Sequence, residues 1–438
     1  MVVGVAFRTL LAPAGPLGGL RLDGTPVAIV AALVFFNVSV VVRTVGPTWE
    51  GLDRRREEAA AALGASPLQV LRTVTLPALR PAVLAAASVV FLFCATAFGV
   101  VLTMGGVRYS TVETEIYLLT TQYLDLPAAA ALSVLQLGVV VVLLAVTGRN
   151  RARRGAALVG ADRVQRVDRR TATRPLRRGD APAALVTALV VVLVAAPVLT
   201  LVTRSLRVEG DWSLASYRAL QGTGSSQALL VPVTTALSNS LRVAVDATIL
   251  ALVLGLVVSV LVTRQLRAPG ARRVLRVFDG VFMLPLGVSA VTVGFGFLVT
   301  LDHPPVDFRG SPWLVPVAQA MVALPLVVRT VAPALRGIDP RQREAAAALG
   351  ANPLRVLVSV DLPVAWRPVL AAAGFAFAVS LGEFGATSFL VRPDRPTLPV
   401  VVFDLISRPG AWPRAGRPRR RSGAPTGPPP PGGRGTAW

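Results

Sequence analysis

Two polar segments of this sequence, Glu58–Ala65 and Glu344–Ala351, carry the residue pattern best suited to binding another protein. Each consists of a Glu, four Ala, a Leu, a Gly and an Ala. Alanine favours helix and has almost no side chain, so another backbone can approach such a helix closely, while the Glu offers one anchoring charge. A Gly lets the helix end in the left-handed conformation. These segments therefore predict a helix that docks in a groove of a partner protein.

Residues that catalyse reactions or hold metals are scarce in the rest of the chain. The sequence has one cysteine and one histidine, and it contains no lysine. Cys94 lies in an apolar run and His303 in a loop, so neither a disulfide nor a zinc cluster is expected. The phosphate-binding loop of P-loop ATPases requires a lysine. We therefore expect no catalytic residue, no metal and no cofactor, and any ATP hydrolysis must come from another subunit.

Apolar runs surround the two polar segments and predict how they are held. Hydrophobic residues make up 53% of the 438 residues, and the mean hydropathy is +0.62. Most runs are roughly 20 residues long, the length that crosses a bilayer as a helix. They lie at 1–11, 26–45, 83–104, 127–147, 181–202, 236–262, 281–301, 313–331 and 368–391. The predicted fold is all-α, a polytopic transmembrane helical bundle in a lipid bilayer.

The formal net charge of +22 predicts the orientation of this bundle. Arginines concentrate in short loops such as 264–276, in the stretch 149–180 and in the tail. Cytoplasmic loops of membrane proteins carry such an excess of basic residues. We therefore interpret the charge as topology, place both polar segments on the cytoplasmic side, and expect no binding of nucleic acid.

The two polar segments belong to a longer duplication. The offset that relates Glu58 to Glu344, which we call the repeat offset, also pairs Val42–Val45 with Val328–Val331, Leu76-Pro77 with Leu362-Pro363, and Phe98-Gly99 with Phe384-Gly385. The sequence thus predicts two homologous halves in one chain. We place a first half at 1–147, an Arg-rich cytoplasmic linker at 148–180, a second half at 181–410, and a Pro/Arg/Gly-rich tail, expected to be disordered, at 411–438.

Each polar segment is expected to fold as two short helices joined by a turn. Asp53 and Asp339 are candidates to cap the first helix, and Gly64 and Gly350 stand where that helix ends. Ser66-Pro67 and Asn352-Pro353 then restart a helix. We expect each Leu-Pro pair to end the unit before the next membrane run.

At these residues the sequence resembles the permease subunits of ATP-binding-cassette importers of type I. Their cytoplasmic signature is Glu-Ala-Ala, three residues, a Gly, and a Pro about a dozen residues later. The matching residues are Glu58, Ala59, Ala60, Gly64 and Pro77 in the first half and Glu344, Ala345, Ala346, Gly350 and Pro363 in the second. The resemblance implies a coupling helix that docks in a cleft of the ATPase. It also implies two copies of that subunit, an extracytoplasmic substrate-binding protein and location in the bacterial plasma membrane.

The fusion of two halves, together with the segment Ser380–Thr387, resembles the permeases for ferric iron and thiamine, with iron ranked first. Glu383 lies inside the last apolar run. Intramembrane carboxylates tend to face a cavity or a partner. Glu383 is therefore predicted either to line the translocation pathway or to pack against a neighbouring helix, paired with an Arg. A secondary transporter with internal repeats and a non-functional truncated permease are the alternatives to an importer subunit.

The two ends of the chain depart from the family pattern. The first half lacks counterparts of the runs at 181–202 and 236–262, and the second half lacks a last helix equivalent to 127–147. We interpret these departures as a misplaced start codon and a frameshift near residue 410, which translation of the other reading frames would reveal. The alternative is that the tail is a basic interaction segment.

Overall fold

The computed structural model describes residues 1–105, 108–158, 181–208, 210–218, 220, 231–263, 288–301, 308 and 310–407. Residues 159–180 of the linker, the basic loop 264–276, His303 and the tail 411–438 lie outside the described residues.

The first half contains eight described α-helices. They are α1 (Val2–Leu11), α2 (Pro26–Glu50), α3 (Arg54–Ala62), α4 (Pro67–Val70), α5 (Leu76–Ala95), α6 (Gly99–Gly105), α7 (Val112–Thr121) and α8 (Leu126–Leu158). A short 3-10 helix, Gly18–Leu20, precedes α2, and a π-helical turn, Leu71–Thr75, joins α4 to α5. Helix α8 continues past Thr147 to Leu158, into the stretch predicted to be the linker.

The second half contains ten described α-helices and one small hairpin. The helices are α9 (Ala181–Ser205), α10 (Ala215–Arg218), α11 (Val233–Thr263), α12 (Ala290–Thr300), α13 (Leu314–Arg336), α14 (Pro340–Ala348), α15 (Pro353–Val356), α16 (Leu362–Gly382), α17 (Thr387–Leu390) and α18 (Leu398–Ser407). A second π-helical turn, Leu357–Asp361, joins α15 to α16. The hairpin pairs β1 (Arg207–Val208) with β2 (Asp211–Trp212) in antiparallel register, Arg207 opposite Trp212.

The helix boundaries confirm the duplication. The repeat offset carries both ends of α3, α4 and α7 onto the ends of α14, α15 and α18, and it carries the first π-helical turn onto the second. It also relates the ends of α2 and α13, Glu50 and Arg336. The two halves therefore share a core of equivalent elements as well as a sequence motif.

Six of the described helical segments are long and apolar enough to cross a membrane. They are Pro26–Glu50, Pro67–Ala95, Ala181–Ser205, Val233–Thr263, Leu314–Arg336 and Pro353–Gly382. Ala181–Ser205 buries only 11% of its apolar window against the protein. Such an apolar and outward-facing surface requires a lipid environment. The all-α transmembrane bundle predicted from the sequence is confirmed.

The predicted bounds of two membrane runs are wrong. The sequence predicts single helices over 83–104 and 368–391, but the helices end at Ala95 and Gly382 and short separate helices follow. The Leu-Pro pairs do not end the polar unit either, because α4 and α5 form one continuous span through Pro77. Proline lacks an N–H and clashes with the carbonyl four residues earlier. The preceding π-helical turn widens the backbone at that point, so each helix continues past its proline.

Small residues allow close packing in the second half. Helices α11, α13 and α16 pack together through Ala247, Ala251, Ala323, Ala365, Ala372 and Ala376, each at most 1% exposed. In membranes, small residues let helix backbones approach closely. The first half pairs α2 with α5 in the same way as α13 pairs with α16. Helix α9, predicted to open the second half, packs against α1 of the first half, and Arg204 donates a hydrogen bond to the carbonyl of Ala14.

Candidate functional site

Both polar segments fold as the predicted helix, turn and helix. The Asp53 carboxylate caps α3 by accepting a hydrogen bond from the N–H of Arg55 at 3.1 Å. In the same way, the Asp339 carboxylate caps α14 by accepting a hydrogen bond from the N–H of Arg341 at 3.0 Å. An N-cap of this kind stabilises a helix by about 1 kcal/mol. The sequence therefore determines where each short helix begins.

The glycines end these helices in the conformation expected for them. In the first half, the Ala65 N–H donates to the Ala60 carbonyl at 3.1 Å, and the Gly64 N–H donates to Ala61 at 2.9 Å. This pair of bonds is the Schellman motif. The second half repeats both bonds, and Gly64 and Gly350 have φ angles of +87° and +81°. A Cβ at either glycine would meet nothing within 4 Å, so these positions require glycine for the backbone angle alone.

The predicted docking surface is open in both halves. Glu58, Ala59 and Gly64 are exposed and Ala60 is half-buried. The equivalent residues of the second half have the same exposure in the same order: Glu344, Ala345 and Gly350 are exposed and Ala346 is half-buried. The structure thus places all eight predicted residues on two equivalent surface loops.

A leucine that was not predicted to have a role lies at the tip of each loop. Leu63 and Leu349 are each 90% exposed, although apolar side chains are normally covered. Burying one leucine side chain is worth roughly 1.5–3 kcal/mol. The signal was present in the sequence, since both leucines belong to the repeated segment directly before the glycine.

One side-chain interaction ties each of the short helices α3 and α14 to the π-helical turn that follows it in its half. In the first half, the Thr75 hydroxyl donates to the Glu57 carboxylate at 2.6 Å. In the second half, the equivalent residues are Arg343 and Asp361, and the Arg343 Nε donates to the Asp361 carboxylate at 2.7 Å. Thr75 and Asp361 are 3% and 4% exposed. We call these two contacts the tethers. The donor lies on the π-helical turn in the first half and on the short helix in the second half, but both tethers join the same two elements.

The second tether has a further contact. The Arg343 Nη2 donates to the carbonyl of Leu335, in the last turn of α13, at 2.8 Å. Arg343 thereby links α14 to both of the membrane helices that flank the loop. Three elements therefore share this one side chain.

Aromatic side chains from the two halves meet where the halves contact each other. Phe98 stacks on Phe384 with ring centroids 5.4 Å apart and an interplanar angle of 10°. Tyr117 and Phe403 meet edge to face at 6.2 Å. Both pairs join residues related by the repeat offset, so the relation that reveals the duplication also identifies them. We call these four side chains the aromatic quartet.

The structure places Glu383 beside the quartet, directly before Phe384, where it is 7% exposed. Its carboxylate accepts hydrogen bonds from the N–H groups of Ala386 and Thr387 at 2.8 and 3.0 Å and from the Thr387 hydroxyl at 2.5 Å. Glu383 thus caps the short helix α17. These bonds occupy the place of the arginine partner that one interpretation of the sequence expected.

A second buried carboxylate, Glu113, was missed by the sequence analysis. Glu113 is 0% exposed and accepts hydrogen bonds from Gln136 and from Ser289, which belongs to the second half. The segment 105–126 lies between two predicted membrane runs and has no long apolar run of its own, so hydropathy does not indicate a buried helix there. Its equivalence to the apolar residues of α18 could have revealed one.

The chain is similar to a family of membrane transport proteins. The family described as "Binding-protein-dependent transport system inner membrane component" matches residues 5–154 and 251–400. A relative from Sinorhizobium fredii, named "Probable ABC transporter permease protein y4fN", is 30% identical over 371 residues, which are 81% of this chain and 62% of the relative.

Two further relatives carry the names of substrates. "Thiamine transport system permease protein ThiP" of Brucella abortus is 28% identical over 388 residues, 88% of this chain and 66% of the relative. "Putative 2-aminoethylphosphonate transport system permease protein PhnU" of Salmonella typhi is 35% identical over 182 residues, 38% of this chain and 62% of the relative. The chain therefore spans just under two thirds of the length of these curated relatives.

Proposed function

The chain belongs to the family of binding-protein-dependent transport system inner membrane components and is a multi-pass membrane protein, and on that premise we propose that it forms the translocation pathway of an ATP-driven importer. The observation that carries the proposal is the pair of equivalent exposed loops related by the repeat offset. Two equivalent docking surfaces on one chain match two copies of one ATPase. Family membership also favours this function over a secondary transporter.

We propose that Glu58, Ala59, Ala60 and Gly64, with Glu344, Ala345, Ala346 and Gly350, form the ATPase-binding surface. Their shared exposure, the two glycine-terminated helices and the bare leucines support this role. Docking would bury each leucine in a cleft of the ATPase, and the tethers would pass the motion to α5 and α16. The chain itself would contribute no ATP hydrolysis.

For the substrate, we propose thiamine or a similar organic molecule in preference to ferric iron. A thiamine permease matches 88% of this chain, which supports this choice. A substrate-binding protein outside the membrane would deliver the molecule. Glu383 stays a prediction for the pathway, and its place at the contact between the halves supports it.

The test is co-purification of the chain with a co-expressed ATP-binding-cassette ATPase, followed by ATP-dependent uptake of thiamine by the reconstituted assembly. Leu63→Glu and Leu349→Glu should each weaken ATPase capture and together should abolish it, because each places a charge where an apolar contact is expected. Leu20→Glu is the matched control, since Leu20 is 58% exposed and lies beyond the other end of α2. Equal capture by the loop variants and the control would refute the docking role.

A further inference from the structure

The aromatic quartet is built from two pairs of equivalent residues. Phe98 corresponds to Phe384 and Tyr117 to Phe403. Within each half the two members also touch, with ring centroids 5.3 Å apart in the first half and 5.2 Å in the second. Each of the four rings therefore contacts two others of the set, and Tyr117 also meets Phe389 edge to face at 5.6 Å. Phe98 and Phe384 are 6% and 4% exposed, whereas Tyr117 and Phe403 are half-buried, so the stacked phenylalanines are the most buried part of the set.

The contacts place this set on the axis that relates the two halves. When two halves are related by an approximate rotation, a residue can touch its own equivalent only if both lie next to the axis. The quartet meets this condition twice, once through the stacked phenylalanines and once through the Tyr117–Phe403 contact. A pathway formed equally by both halves must run along the same axis.

We propose that the aromatic quartet is the constriction that closes the pathway in this conformation, and that its ring faces contact an aromatic cation when the halves part. This inference rests on the proposed function. In the closed state the ring centroids of Phe98 and Phe384 are 5.4 Å apart. A planar ring inserted between them needs about 7 Å, twice a carbon–carbon contact distance. The halves must therefore separate before the substrate can enter.

The chemistry around the quartet selects the class of substrate. Aromatic faces attract cations and stack with flat rings. Each half also has a buried carboxylate close in sequence to a quartet residue: Glu113 precedes Tyr117 by one helical turn, and Glu383 directly precedes Phe384. Thiamine carries both a cationic and a neutral aromatic ring. 2-Aminoethylphosphonate has no ring and carries an acidic phosphonate, so it fits this site poorly.

Two double variants separate the sealing role from the contact role. In Phe98→Ala/Phe384→Ala the constriction loses its bulk, and we expect thiamine-loaded proteoliposomes to leak at least tenfold faster without ATP. In Phe98→Leu/Phe384→Leu the apolar bulk remains but the ring faces are lost. We expect this variant to stay sealed, while radiolabelled thiamine binds about tenfold more weakly to the assembled transporter held with ATP and vanadate.

The matched control is Phe36→Ala, and Phe36→Leu for the binding assay. Phe36 makes an edge-to-face contact with Phe93, at 6.2 Å, inside the first half and away from the axis. Both controls should behave as the unaltered chain does. 2-Aminoethylphosphonate is the non-aromatic probe, and we expect neither the unaltered chain nor the leucine variant to bind it.

The outcomes distinguish this inference from the proposed function. If the unaltered assembly neither captures an ATPase nor takes up thiamine, the proposed function fails first. If the assembly transports thiamine but the quartet variants leak and bind as the Phe36 controls do, the quartet inference is overturned. Weaker thiamine binding in the leucine variant without a leak supports the contact, and a leak in the alanine variant alone supports the seal.

Discussion

The two tethers allow a prediction with a built-in control, because the residue pair of one half can be placed at the equivalent positions of the other half. We consider three changes in the second half: Arg343→Glu, Asp361→Thr and the two together. Arg343→Glu would place a carboxylate against the buried carboxylate of Asp361, and Asp361→Thr would remove the acceptor for the Arg343 guanidinium. The double variant would install the pair that the first half already uses, Glu57 with Thr75.

The expected magnitudes follow from the burial of the two partners. A hydrogen bond between charged groups contributes roughly 1.5–3 kcal/mol, and the Arg343 side chain is 29% exposed, so we take about 2 kcal/mol for Asp361→Thr. That loss lowers the ratio of tethered to untethered states about 30-fold. Arg343→Glu also leaves a buried carboxylate without a donor, so its cost should exceed about 3 kcal/mol. The double variant should lie within about 1 kcal/mol of the unaltered chain.

The assay is the number of thiamine molecules taken up per ATP hydrolysed by the assembled transporter in proteoliposomes. Each single variant should lower this ratio, since α14 would move without pulling α16, and the double variant should restore most of it. Arg392→Glu is the control, because Arg392 pairs with Asp394 in an exposed bridge whose loss should cost under about 0.5 kcal/mol. A double variant no better than either single one would refute the tether as a mechanical link.

Three further predictions concern backbone and packing. Gly64→Ala should cost about 1–2 kcal/mol of loop stability and weaken ATPase capture, because the backbone angle there is left-handed, whereas Gly46→Ala in α2 should have no effect on capture. Gly294→Ala should lower the thermal midpoint in detergent, since its Cβ would lie 2.6 Å from the Ala386 Cα, and its neighbour Gly296→Ala, with open space around it, should not. Glu383→Ala should destabilise the fold by about 2 kcal/mol by leaving two buried N–H groups unpaired, and Glu383→Gln should recover part of that loss, as thermal unfolding can measure.

Local sequence signals predicted the loops well because the loops are held by local interactions. Asp53 caps the helix that follows it and Gly64 ends that helix, so both roles can be recognised from neighbours within a few residues. Because the sequence is duplicated, the same signals predicted the second loop equally well. Hydropathy did not reveal the exposure of Leu63, because it does not say which leucine lacks a covering surface, and only the place of Leu63 in the repeated segment pointed to a role.

The contact between the two halves was harder to predict, because the residues that form it are far apart in the sequence. Hydropathy gave one continuous run from Val83 to Met104, but the helix breaks after Ala95 so that Phe98 can reach the other half. Glu113 was missed for a related reason, since its partner Ser289 lies far along the chain, in the second half. Both contacts depend on how the two halves dock, which no local pattern records.

The exposure of Leu63 and Leu349 has a consequence for the stability of this chain inside a cell. Under the proposed function, a chain made without its ATPase subunits would present Leu63 and Leu349 to water at the tips of two loops, each 90% exposed. Chaperones and proteases survey uncovered apolar groups of this kind. Surplus copies would therefore be degraded, whereas copies bound to two ATPase subunits would be protected. The same side chains that fasten the assembly would thus also keep the numbers of its subunits in balance.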